Sequence, residues 1–493
     1  MATALLNRLE VGHGNPSLTN VVTHPHAVRL SEVLGGLSYA LDLTEGQRPG
    51  HAVRSCLIGM RLAESIGLPR NERSSLFYAL LMKDLGCSSN AARFAALFAA
   101  HDHDVKSAIK TIDWTRASEA FRLVTRSVAP GAFWLQRVWQ TMAVLSRGPE
   151  GPRDVVRTRC ERGADIAKML GFNGDTVSAI RALDEHWNGA GQPYGLKGDE
   201  IPTLARILGL AQTVEVFASA HGVRTAYDMA AARRGRWFEP RLVDALLAIR
   251  PDGPFWTNLT QGDLLAQIKK VEPEDRVILA GPERLDLVAE AFARVIDAKS
   301  PWTFKHSNGV AELSVAIGSR VGIHGPALVE LRRAALLHDL GKLGVSNLIL
   351  DKPGRLTDDE FAAMRTHTSH TREILRRVGC FSGVVDVAAS HHERLDGTGY
   401  HRRLRGEQLP LAARVICVAD ICDALRASRP YREGLAPERV IAIMSRDTGT
   451  GIDADCFEAM RHVLLDSSTP LTDATTPAVR AVAELDEDYR QAA

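Results

Sequence analysis

Six blocks of this chain occur twice, in the same order. HAVRSCLIGMRLAESIGL from His51 parallels HSNGVAELSVAIGSRVGI from His306, and LLMKDLG ending at Gly86 parallels LLHDLGK around Asp339. RCERGADIAKMLG ending at Gly171 parallels HTSHTREILRRVG ending at Gly379, and EHWNGAGQPYGLKG from Glu185 parallels ERLDGTGYHRRLRG from Glu393. ARILGLAQTVEVF with ARVICVADICDAL and GRWFEPRLVDALL with GTGIDADCFEAMR complete the set. Such a chain holds one structural plan twice, so each motif has an internal control.

The offset between the repeats is 255 at His51/His306 and 208 at Gly189/Gly397, which gives the first repeat an insertion of 47 residues. The insertion falls at about 90–150, is rich in Ala and Phe, and is expected to add helices. The organisation expected is a first domain over 25–250, a connector with some short helix over 251–285, a second domain over 286–465 and a loosely ordered tail over 466–493.

Apolar residues three to four apart, as in Val310, Leu313 and Ile317 or Leu328, Leu331, Ala335 and Leu336, mark amphipathic helices. Sustained alternation is missing, and short Gly/Pro breaks separate the segments. The expected fold class is all-α, two tandem helical bundles.

Composition narrows the function. The 60 basic side chains against 59 acidic ones leave a formal charge of +1, so no global field draws the chain to nucleic acid. No apolar run reaches the ~18 residues of a membrane span, and the N-terminus lacks a basic start followed by a long apolar stretch. The expected compartment is the cytoplasm. Seven scattered cysteines make neither a disulfide framework nor a zinc ribbon.

The chemistry concentrates in the second repeat, where the blocks bring His306, His338, Asp339, His367, His391, His392 and Asp420 to helix ends. Imidazole and carboxylate suit first-row metals, and seven such groups exceed the needs of one ion. They suit two metals sharing ligands, with a carboxylate such as Asp339 able to bridge cations ~3.5 to 4 Å apart, the arrangement for in-line attack on phosphorus. A single histidine on a helix is usually an ordinary hydrogen-bonded residue; five spaced signals in one half of the chain are not.

HDLGKLGV at His338, the Arg365-Thr366-His367 block, HHERLDGTGY at His391 and VADICDALRASRPYR from Val418 to Arg432 resemble the HD-GYP domain, a branch of the HD superfamily of bacterial cyclic dinucleotide phosphodiesterases. The resemblance implies a helical bundle with those seven residues as ligands of two divalent transition-metal ions, iron or manganese. A third metal goes with a glutamate four residues before the first histidine, where this chain has Trp302. It further implies that Lys342 contacts the scissile phosphate, that Arg429 and Arg432 grip phosphate, and that Tyr400 shapes the substrate loop. Asp423, one turn beyond Asp420, shares its face and is expected to orient a ligand histidine or the nucleophile. The implied activity is hydrolysis of a cyclic dinucleotide, cyclic di-GMP first, to linear pGpG and on to GMP. His401 stands where GYP has proline and opens a second reading, another cyclic dinucleotide or a nucleotide. A third reading is a non-catalytic scaffold that binds a nucleotide or protein partner.

The first repeat keeps His51 and Asp84 but aligns Lys83 with His338, Arg159 with His367, Leu183 and Asp184 with His391 and His392, Gln212 with Asp420, and Cys87 with Lys342. Two of seven ligands cannot hold a dinuclear centre, and Lys83 and Arg159 put positive charge where metals would sit. This repeat is expected to be non-catalytic: a packing or dimerisation platform, or a docking point for a signalling protein, with a cation-lined nucleotide pocket as the rival role. The run His101 to Asp104 reads as a solvated helix start.

Overall fold

The computed structural model describes residues 28–146, 150–249, 252–303, 305–427 and 433–466. Among these, the chain is a succession of helices, and its strands are Val28–Arg29 and Leu279–Ala280, paired antiparallel with Val28 opposite Ala280. That two-residue ladder ties the start of the first repeat to the start of the second. No helix among the described residues is long and apolar enough to cross a membrane. All seven cysteines are free.

Each repeat uses the same helices in the same order. Leu30–Thr44, His51–Ser65, Arg70–Met82, Glu150–Met169, Thr203–His221 and Pro240–Ile249 correspond to Pro282–Asp297, His306–Arg320, Pro326–Leu337, Asp358–Leu375, Leu411–Arg426 and Ala454–Leu465. The contacts that set helix against helix also recur. The carboxylate of Asp297 accepts from Ser307 N at 3.2 Å, and that of Asp42 accepts from Gly50, His51 and Ala52 N at 2.6 to 3.0 Å. In both repeats a buried aspartate from the preceding helix thereby caps the start of the histidine-bearing helix, satisfying amides that have no partner within it. Glu393 accepts from Arg402, Arg403 and Leu404 N, as Glu185 accepts from Tyr194 and Leu196 N, so one carboxylate folds the glycine-rich loop in each.

Gly341 shows how tightly these helices meet. A Cβ there would lie 1.9 Å from the His367 carbonyl oxygen, and one on Gly86 would lie 1.9 Å from the Arg159 carbonyl oxygen. Only glycine lets the turn after the His-Asp pair press against the next helix, which is how His367 is brought to Asp339.

One apolar core runs through both repeats, from Leu34 and Leu37 through Phe292 and Val295 to Leu336 and Val418. The insertion forms helices Ala91–Phe98, Asp102–Lys110, Ala117–Ser127 and Trp134–Ser146, with a small core of its own around Phe98, Val105 and Val128.

The helix Pro282–Asp297 begins within the expected connector, because a proline in its first turn presets the helical φ. One expectation needs correction. Asp102 does begin a helix, but that start is not solvated: Asp102 is fully buried, pairs with the buried Lys299 at 3.3 Å and accepts from Asn347 N at 2.9 Å. It fastens the insertion to the second repeat, a contact no local pattern announces. The tail after 466 lies outside the described residues.

Candidate metal centre

Five segments of the second repeat converge on one point. His306 opens its helix, capped by Asp297; His338 and Asp339 end the helix Pro326–Leu337; His367 sits within Asp358–Leu375. That last helix begins on a Thr357–Glu360 capping box with three acidic residues in its first turn, which fixes its start. His391 and His392 follow Val385–Ala389, and Asp420 lies in Leu411–Arg426 among buried Val418, Ala419 and Cys422.

The Asp339 carboxylate stands between two sets of imidazoles. Its Oδ1 is 3.6 Å from His367 Nε2 and 3.6 Å from His391 Nε2. Its Oδ2 is 3.3 Å from His338 Nε2 and 3.7 Å from His306 Nε2. Asp420 divides in the same sense, with Oδ1 3.2 Å from His306 Nε2 and Oδ2 3.8 Å from His392 Nδ1. Ligand atoms of His367, His391 and His392 gather in one group; those of His306, His338 and Asp339, and of His338, His391 and Asp420, gather in others.

The outer hydrogen bonds set which ring nitrogen faces the centre. Nδ1 of His338, His367 and His391 donates at 2.7 Å to the carbonyls of Ala335, Met364 and Ala388, and His306 Nδ1 donates at 2.6 Å to Asp423 Oδ2. With Nδ1 committed, each Nε2 lone pair points inward, as in metal-bound histidines.

The charge state fits cations as well. Burial pushes the His367 imidazole down to about 3, with His392 adding repulsion, and it also lowers His391 and His392, so this group is neutral and ligand-competent. Burial alone would lower His306 and His338 too, but hydrogen bonds to Asp420 and Asp423 raise His306 to about 10 and Asp339 raises His338, so without a cation these rings favour the proton that a metal on Nε2 would displace. Burial opposes the charge on Asp339, and the neighbouring His338 and Lys342 overcome it and hold the carboxyl well below its usual range. Asp339 Oδ1 and His338 Nε2 are buried with no hydrogen-bond partner among the described residues. Buried polar atoms of this kind need a partner, and the donor set of imidazoles and carboxylates suits divalent transition metals. On these grounds the residues fit a two-metal centre.

Exposure gives the site a direction. His338, Asp339, His367 and His391 form a buried floor, while the side chains of His392, Asp423 and Lys342 are 28%, 21% and 20% exposed and mark the open side. Lys342 Nζ pairs with Asp339 Oδ2. The Tyr400 ring lies 5.0 Å from that of His392, with the Arg365 guanidinium 5.1 Å from its centroid on the tyrosine side. Arg429 and Arg432 lie outside the described residues. Sequence reasoning passed over Asp297 and Thr371, whose hydroxyl donates to His338 O and accepts from Gly341 N, and took Arg365 only as part of a motif; the signal available for Asp297 was its match to Asp42.

The aligned position in the first repeat is built differently. Lys83 Nζ lies 2.8 Å from His51 Nε2 and pairs with Asp84; Arg159 pairs with Asp184. Glu45, Asp84 and Cys87 gather three ligand-type atoms, yet Lys106 and Lys110 reach the Glu45 carboxylate at 3.3 and 2.6 Å. Ammonium and guanidinium groups take the place of metal cations, and the carboxylates are compensated within the protein.

A family model described as HD domain matches residues 144–242 and 290–456, covering parts of both repeats. The 3'3'-cGAMP-specific phosphodiesterase 3 of Vibrio cholerae is 40% identical over 435 residues, 88% of this chain and 94% of that one. A cyclic di-GMP phosphodiesterase of Pseudomonas aeruginosa is 40% identical over 161 residues, 32% of this chain and 38% of its own. Among solved structures, that of a cyclic GMP-AMP specific phosphodiesterase of V. cholerae aligns with a TM-score of 0.62 at 35% identity, over 91% of this chain and 100% of that one.

Proposed function

The chain belongs to the HD domain family, in its HD-GYP branch of cyclic dinucleotide phosphodiesterases, and from that premise we propose that the second repeat hydrolyses 3'3'-cGAMP to the linear dinucleotide. The observation that carries the reading is the Asp339 carboxylate, with one oxygen toward each set of imidazoles.

His306, His338 and Asp420 would hold one cation and His367, His391 and His392 the other, with Asp339 shared; iron and manganese both suit these ligands. Two such ions, when bound, activate water and neutralise phosphate charge for in-line displacement. The chain's own residues do the rest. Asp423 fixes the His306 ring through Nδ1. Lys342, held at Asp339 on the open side, offers a cation to a non-bridging phosphate oxygen as charge develops there. Tyr400, with Arg365 against its ring, forms a wall beside His392 on which a base can stack.

The choice of 3'3'-cGAMP over cyclic di-GMP rests on the relative that spans both repeats. A second reading, cyclic di-GMP, is favoured by a relative of that name matching the second repeat alone. Turnover of the two substrates side by side on metal-loaded protein separates them, with Asp339→Ala as control. Linear product from 3'3'-cGAMP at several times the rate from cyclic di-GMP supports the proposal. The reverse order replaces the substrate, and full activity in Asp339→Ala overturns the site.

A further inference from the structure

A cavity of about 1260 Å³ opens in the first repeat at the position aligned with the metal centre, bounded by Arg159, Asp184 and Gln212, the counterparts of His367, His392 and Asp420. The insertion supplies its facing wall, including Phe94, Ile109, Leu123 and Trp139 from four separate helices. The second repeat has no such segment. The cavity is therefore an addition to the shared plan, beyond whatever space the lost ligands left, and it is large enough to enclose a nucleotide-sized molecule.

Its lining has two chemistries. One is flat and aromatic: the His186 and Trp237 rings stack with centroids 3.9 Å apart, and Trp114 packs 5.0 Å from His186 and 5.8 Å from Trp237. The other is polar and unfinished. Asn90 and His186 are 4% and 5% exposed, yet Asn90 Oδ1 and His186 Nδ1 have no hydrogen-bond partner among the described residues, and neither has Arg159 Nε. All three side chains line the cavity, as do Lys106 and Lys110, which pair with Glu45, and Asp184, which pairs with Arg159. Buried polar atoms without partners in a cavity wall are groups that a ligand would satisfy. Stacked aromatic faces accept a base, amide and imidazole atoms read its edge, and guanidinium and ammonium groups receive phosphate. A fatty carboxylate would use the apolar wall but leave Asn90 and His186 unmatched.

We propose that this cavity is a non-catalytic binding site for an anionic nucleotide, with its base against Trp114 and the His186–Trp237 stack and its phosphate at Arg159. The site is independent of turnover in the second repeat, so its test and that of the proposed substrate fail separately.

Tryptophan emission is weighted toward it, because Trp114, Trp139, Trp187 and Trp237, four of the chain's seven tryptophans, line the cavity, while Trp302 is the second repeat's one tryptophan. The full chain carrying Asp339→Ala is titrated with GMP and, separately, with 3'3'-cGAMP, alone and combined with Trp114→Leu or with Ala143→Phe, which fills the cavity from the insertion side. Saturable quenching by either nucleotide, weakened roughly tenfold or more in both combined variants, is the expected result. Quenching by GMP alone assigns a mononucleotide, and by 3'3'-cGAMP alone a cyclic one. No saturable quenching at millimolar nucleotide, quenching that neither variant changes, or saturation by palmitate in place of nucleotides overturns the proposal.

Discussion

His306 donates its Nδ1 proton to Asp423 at 2.6 Å, and at the same place in the first repeat His51 bonds through Nδ1 to Glu215. The bond survives in a repeat that keeps two of the seven ligand-type residues. It joins the first helix of each site to the last, so it serves the packing of the bundle as well as the orientation of the ring. In the second repeat it leaves His306 Nε2 facing Asp420 and Asp339.

Asp423→Ala is expected to lower metal occupancy and turnover by roughly tenfold to a hundredfold, the usual cost of losing an outer partner of a ligand histidine. Asp423→Glu should recover most of that loss, since a glutamate makes this bond in the first repeat. Elemental analysis and kinetics on the same samples check both; unchanged metal content in Asp423→Ala would reduce the residue to a packing role.

The division of ligands around Asp339 predicts a metal count. His306→Ala and His367→Ala should each leave about one of two equivalents, from different groups, and Asp339→Ala should hold neither firmly. Elemental analysis after loading gives the answer, and loss of both ions in either histidine variant would argue for a single undivided site.

Lys83→Met should unfold at markedly lower temperature while turnover of the folded enzyme stays unchanged. It strips the buried Asp84 of its nearest cation, leaving Lys110 at 4.0 Å, and breaking such a pair costs roughly 3 kcal/mol or more. A melting point equal to that of the wild type would show that the first repeat's cations are dispensable.

Burial raises the Asp297 carboxyl from 3.8 to about 6, against the pull of its bonds from Ser307 and of His306. The folded state therefore favours the protonated acid. This contribution to stability is full below about pH 4 and is lost as pH rises through about 6, a swing of roughly 3 kcal/mol. Asp297→Asn keeps an acceptor for Ser307 and removes the titration. Denaturant unfolding across that range should show the variant gaining on the wild type as pH rises, and parallel pH profiles would contradict the assignment.

The repeats and the ligand types were legible because both are written locally. Helical periodicity needs only neighbouring residues, and a histidine or aspartate keeps its chemistry wherever the fold takes it. The positive charge at Lys83 was readable in the same way, from a cation standing at a ligand's position, and its pairing with Asp84 came from the structure. Asp102 was misread because a His-Asp run looks polar in isolation, and its partners Lys299 and Asn347 lie 197 and 245 residues away.

By itself, the sequence determined a duplicated all-helical plan, one repeat carrying all seven ligand-type residues and the other two of them, and the residue types that could hold two metals. The tertiary structure alone decided which oxygen of Asp339 faces which imidazoles, that Asp297 caps the His306 helix, and that the insertion walls a cavity against Arg159. These are relations between helices distant in the chain. They follow from how close packing brings side chains together in three dimensions, and no periodicity along one segment encodes that.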